Sequence, residues 1–146
     1  MMKDVRTLRA LADENRLRLL RLVAEKELFV CQLMAVTGLS QPLVSRSLAL
    51  LEREGLVDSR REGKHVFYRL KPSLPPLGRA VNAVLARRQA EDDCFARDRR
   101  SLALFLGRFH GGGACDMGKV RSFIEFRKQN KRAGVEHGKT GQKSVH

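Results

Sequence analysis

Apolar positions in the first half of the chain recur at helical spacing, and each run is bracketed by residues that start or stop a helix. Val5, Leu8, Leu11 and Ala12 predict a short amphipathic helix. Asp13 caps a second, from about Glu14 to Glu25, because its carboxylate accepts from free N–H groups of the next turn. There Leu17, Leu20 and Val23 face inward, and Arg16, Arg18 and Arg21 form a solvated rim. Leu28-Phe29-Val30 is too short for a helix and predicts a brief strand. Cys31 to Thr37 fits two helical turns with Leu33, Met34 and Val36 apolar. Gly38 stops it, since glycine enters the left-handed region without steric cost. Ser40 then reads as an N-cap, and Pro42 sits in the first turn of the next helix, where no intrahelical N–H bond is lost.

That next helix, Gln41 to about Glu54, buries Val44, Leu48 and Leu51 at i, i+4 and i+7. Gln41, Ser45, Arg46, Ser47 and Ala49 occupy much of its remainder and are short or polar, where an ordinary solvated helix carries Glu and Lys. Two helices joined by Thr37-Gly38-Leu39-Ser40 form a helix-turn-helix, whose second member enters the DNA major groove. Ser40, Gln41, Ser45, Arg46 and Ser47 are the expected contacts. Gly55 ends the helix. Leu56 to Arg61 and His65 to Leu70 then flank Glu62-Gly63-Lys64, which predicts a β-hairpin. Its Arg60, Arg61, Lys64 and His65 suit a phosphate backbone or a minor groove, so the hairpin reads as a wing beside the recognition helix.

Pro75 and Pro76 break the chain before a long helix from about Leu77. Its stripe of Val81, Val84, Leu85, Phe95, Leu102 and Phe105 is best buried against a twin chain, which also supplies two recognition helices to a two-fold operator. The predicted fold is mainly α with a small β-hairpin, a winged helix-turn-helix over residues 1–105, dimeric through terminal helices. Residues 106–146 carry nine Lys/Arg against three acids and include Gly111-Gly112-Gly113. They read as a basic, largely flexible arm with one short helix around Val120 to Gln129, which either touches DNA nonspecifically or aids solubility.

Charge sharpens this picture. Lys and Arg number 29 against 16 acids among 146 residues, a net +13 that points to a polyanionic partner. Seven Phe, one Tyr and no Trp make base stacking on an aromatic platform a poor account of such binding. The longest uncharged run, Leu28 to Ser45, holds Gln32, Thr37, Ser40 and Gln41, which hydrocarbon does not accept, and the first twenty residues do not pattern as a secretory signal. The expectation is a cytoplasmic protein with reduced thiols and no membrane partner. Three cysteines, Cys31, Cys94 and Cys115, are too few and too far apart for a disulfide framework or a zinc ribbon.

The segments Leu8 to Leu20, Ser40 to Leu51, Gly55-Leu56-Val57 and Arg61 to Leu70 together resemble the ArsR/SmtB family of winged-helix repressors, over roughly Val5 to Leu85. The resemblance implies a homodimeric repressor of operator DNA, needing no cofactor to bind. Its affinity then falls when a metal, metalloid or thiol-reactive signal arrives. Glu27 to Met34 is similar to the motif of the arsenic-responsive branch. Of the positions that carry thiols there, Phe29, Cys31 and Met34 here, only Cys31 keeps one, so a local three-thiolate site is excluded. Leu74 to Arg100 contains no His, which departs from members with a zinc-type site on the terminal helix.

Trivalent metalloids and soft ions prefer thiolates, and Cys31, Cys94 and Cys115 would complete a trigonal site for arsenite or antimonite if the tail folds back. Each also reads as an ordinary small or exposed side chain. Rival readings are a family member answering to redox or to no metal, and a protein that coats DNA without sequence preference. Catalysis is not expected: Cys94 to Arg100 and Cys115 to Arg121 match the Cys-x₅-Arg pattern of thiol phosphatases, but neither follows a strand in an α/β unit. Gly138-Lys139-Thr140 echoes a nucleotide-binding loop, yet the glycine needed five positions earlier is Ala133.

Overall fold

A computed structural model describes residues 1–88, 91, 93–108 and 117–137, with 132–137 described as helix only. Helices α1 (Met2–Leu11) and α2 (Glu14–Glu25) lead into strand β1 (Leu28–Phe29) and helices α3 (Val30–Thr37) and α4 (Gln41–Arg53). Strands β2 (Val57–Glu62) and β3 (His65–Leu70) follow, then α5 (Pro76–Arg87), α6 (Asp93–Arg108) and α7 (Met117–His137). The three strands form an antiparallel sheet in the order β1-β3-β2, with Leu28 opposite Tyr68 and Arg60 opposite Phe67. The hairpin and the brief strand are thus present, and the strand joins the hairpin edge.

The joints are built as the sequence dictates. Asp13 Oδ1 accepts from the Arg16 N–H at 2.9 Å and starts α2. Gly38 ends α3 at φ 75°, a left-handed angle that favours glycine. The Ser40 hydroxyl accepts from the Leu43 N–H at 3.4 Å and starts α4. Gly78 lets the first turn of α5 lie on the base of the wing, where an added Cβ would sit 2.6 Å from Leu56 Cδ2.

Leu19, Leu20, Leu22 and Val23 of α2 meet Leu33, Ala35 and Val36 of α3 and Val44, Leu48 and Leu51 of α4 in one core. The arginines of α2 are not a solvated rim. Arg16 Nε donates to the Ala10 carbonyl at 2.6 Å and its Nη2 to Arg9 at 2.9 Å, closing the end of α1. Arg18 forms a two-pronged pair with the buried Asp98 at 2.8 and 2.9 Å. Arg21 is buried with its guanidinium 4.4 Å from the centre of the Phe95 ring. A long aliphatic stem covers apolar surface as readily as a leucine when its charged end finds a partner.

The helix expected from Leu77 onward is two helices. α5 stops at Arg87, and α6 packs on α2 and α3, so Phe95, Leu102 and Phe105 are buried within the chain and do not await a twin. A stripe read on a single helix cannot say which body covers it. α5 keeps only Gly78 buried and exposes Val84, while α1, packed beside it, exposes Met2, Val5 and Leu8.

Packing also continues past residue 106. α7 lies on α3, Val120 and Phe123 are fully buried, and the Phe105 and Phe123 rings meet edge to face at 5.1 Å. The short helix expected around Val120 to Gln129 extends from Met117 to His137. No described helix is long and apolar enough to cross a membrane.

Candidate DNA-binding surface and thiol positions

At about 100° per residue, Val44, Ser47, Leu48 and Leu51 fall within one arc of α4, and these four are its buried residues. The opposite arc presents Gln41, Pro42, Arg46 and Ala49, all exposed, with Ser45 half-buried at its margin. Ser40, Gln41, Ser45 and Arg46 therefore share an accessible surface; Arg46 Nε rests on the Pro42 carbonyl at 3.3 Å and is otherwise turned to solvent. Ser47 is a correction. It is 5% exposed, at the edge of the buried arc and off the accessible face.

The wing separates its basic residues. Arg61 and Lys64 are exposed at the tip. Arg60, expected as a backbone contact, pairs with Glu27 and with Glu62, the latter at 2.6 Å, and lies 4.7 Å from the centre of the Phe67 ring. Hydrogen bonds to those two carboxylates raise its pKa above the usual guanidinium value. Its charge is paired within the protein, on a side chain that is 50% exposed. His65 is also drawn inward, its ring 5.0 Å from Phe29. Arg60 and His65 thus sit in the frame of the wing, with the free basic tip in front of them.

Sequence reasoning missed a cluster behind the turn. Arg127 of α7 donates to the Val36 and Ala35 carbonyls at 2.6 and 3.4 Å. Arg18 Nη2 reaches the Thr37 carbonyl at 3.3 Å while its other prong holds Asp98. Two guanidiniums thus occupy the negative end of the α3 dipole, immediately before the turn. The hydrogen bond to Asp98 raises the Arg18 pKa, whereas burial lowers that of Arg127. No local pattern marks these residues, because the partners lie 80 and 91 positions apart.

Among the described residues no group of three or more His, Cys, Asp or Glu is placed to hold a metal ion. Cys31 opens α3 against the core and is disulfide-bonded, so it departs from the expected reduced thiol. Cys94 lies at the start of α6, 4.0 Å from Glu14 Oε1, beside a cavity of about 760 Å³ lined by Leu17, Arg21 and Phe95. Cys115 lies outside the described residues. The Cys94 to Arg100 match falls within the single helix α6, so it makes no strand-to-helix loop for a phosphate.

The sequence pattern of the bacterial regulatory protein arsR family matches residues 13–59, which span α2 to the start of the wing. The solved structure of reduced HlyU from Vibrio cholerae N16961 superposes with a TM-score of 0.52 at 38% identity, covering 59% of this chain and 87% of that one. This chain belongs to the arsR family. The family is one of regulators and not of enzymes. Another arsR-family likeness is the homodimeric winged helix-turn-helix domain of Mb0332 from Mycobacterium bovis, at TM-score 0.51 and 33% identity over 61% of this chain and 82% of that one. Among curated arsR-type relatives, the arsenical resistance operon repressor of Escherichia coli K12 is 46% identical over 72 residues, 49% of this chain. The match spans 62% of that repressor's length, so less than two thirds of it is shared.

Proposed function

We propose that this arsR-family chain is a homodimeric, sequence-specific repressor that inserts α4 into the major groove of its operator and is released by chemistry at Cys31. The observation that carries this is the accessible face of α4. Small and donor–acceptor side chains, Gln41, Ser45 and Ala49, are held on a helix whose opposite side is locked into the core. Such a face reads base edges, and the wing tip with Arg61 and Lys64 adds backbone contact. The exposed apolar residues of α1 and α5 supply the face for a second copy. The homodimeric state printed for the Mb0332 domain supports that assembly.

Cys31 opens the helix that precedes the recognition helix, so a ligand there tilts α3 and α4 together and misplaces Gln41 and Ser45. A coupling of about 1–3 kcal/mol weakens operator binding roughly 5–150-fold. Arsenite or antimonite is the favoured signal, on the similarity to a repressor named for arsenical resistance. A trivalent metalloid takes three thiolates, and of the proposed Cys31, Cys94, Cys115 set Cys31 lies in the first turn of α3, within the helix-turn-helix. The disulfide at Cys31 favours a second reading, release by a thiol oxidant.

The test is a promoter-fragment binding assay on the reduced protein, titrated with arsenite, antimonite, zinc, cadmium, copper(I) and a thiol oxidant. The parent should release the fragment with arsenite, and Cys31→Ser should bind it and ignore the metalloid. Release by the oxidant alone selects the second reading. Equal release of parent and Cys31→Ser removes Cys31 as the sensor, and equal binding of promoter and random duplex removes the repressor reading itself.

A further inference from the structure

We propose that α7 is a second DNA-binding element, which carries Lys128 and Lys131 past the helix-turn-helix to two backbone phosphates beside the groove that α4 reads. This rests on the reading of α4 as the recognition helix. The matched family pattern ends at residue 59, and α7 lies outside it.

The placement follows from how α7 is anchored. Val120, Phe123 and Ile124 pack into or against the core, and Arg108 lies 4.3 Å from the centre of the Phe126 ring. One turn later Arg127 grips the last-turn carbonyls of α3. Val120, Ile124, Arg127 and Lys131 fall within about 60° of one another around the helix, at about 100° per residue. Lys131 therefore continues the docked face, about 6 Å beyond Arg127 at the helical rise. It is exposed there. The docked side of α7 thus reaches the C-terminal end of α3, next to the turn from which α4 departs, and the helix continues to His137.

Electrostatics agree with a phosphate at this place. The carbonyl end of α3 alone would repel one, but Arg127 and Arg18 occupy its oxygens. Lys128 is paired with Glu125 at 3.3 Å, with the two side chains 62% and 63% exposed. An exposed pair of that kind is worth little and yields readily to a phosphate.

The experiment measures affinity of the full chain for its promoter fragment and for a random duplex across a series of salt concentrations. Each phosphate contact contributes about 0.9 to the slope of log K against log salt. Lys128→Ala with Lys131→Ala should flatten the slope by about 1.8 and weaken both duplexes by the same factor, leaving their ratio unchanged. Arg121→Ala removes an equal charge from the opposite end of the same helix, is exposed in the same way, and should leave the slope near the parental value. An unchanged slope in the double lysine variant overturns the proposal. So does an equal per-charge flattening by Arg121→Ala, which would mean that overall charge and not position matters. A parent that fails to distinguish promoter from random duplex sinks the repressor reading instead, and the slope comparison still decides the role of α7.

Discussion

Arg60 and Lys64 stand four positions apart on one hairpin and differ in what their charge already meets. Arg60 is held by Glu27 and Glu62 over the Phe67 ring, whereas Lys64 is exposed at the tip. Lys64→Ala should flatten the salt dependence of DNA binding by about one contact, and Arg60→Ala should do so by much less, in the same duplex titration. A larger effect at Arg60 would return it to the backbone. Asp98 is the other residue whose neighbours decide its weight. It is 2% exposed and its partner Arg18 19%, so removing the carboxylate leaves a mostly buried guanidinium without its ion pair. Asp98→Ala should lower stability by about 3 kcal/mol in urea unfolding, since breaking a buried pair costs far more than breaking a surface one. A loss below about 1 kcal/mol would class the pair with ordinary surface bridges.

Among the elements, the sheet ties the wing to the core through Tyr68, which lies on β3 between Leu28 and Ser59. Burial, and then the Glu52 carboxylate, raise its phenol above the ordinary value of about 10. The folded state therefore holds the proton more tightly than the unfolded one. That contribution to stability is complete below about pH 10 and is lost as pH rises through the folded value. The chain has one tyrosine, so ultraviolet absorbance reads this group alone. Tyrosinate should appear above the ordinary pH, and Tyr68→Phe should lose the alkaline fall in stability. Ionisation at the ordinary value would mean that the wing stands off the core.

At the scale of the whole molecule, α1 and α5 leave an apolar region open. Leu8 of α1 is 50% exposed and Val84 of α5 is 53% exposed, on helices that touch each other. Leu8→Glu should leave the circular dichroism of the chain intact, shift it from dimer to monomer in sedimentation equilibrium, and weaken promoter binding as the second recognition helix is lost. A variant that stays dimeric would move the interface elsewhere. The net charge of +13 adds long-range attraction for DNA at this scale but does not choose a sequence.

Periodicity, caps and turn residues act within a few positions of the chain, and that is why α2, α4, the turn at Gly38 and the hairpin were legible without any structure. The same local rule placed Gln41 and Ser45 on an open face, because Val44, Leu48 and Leu51 fix the opposite one. Ser47 was misplaced for a related reason: a small polar residue at the edge of an apolar arc looks exposed until the arc is closed around it. What local pattern could not supply was the partner of each remaining surface. The stripe of Phe95, Leu102 and Phe105 turned inward, Arg18 found Asp98, Arg60 found Glu27, and α7 came to rest on α3. Those pairings join residues tens of positions apart, and only the closure of the chain on itself decides which charge meets which.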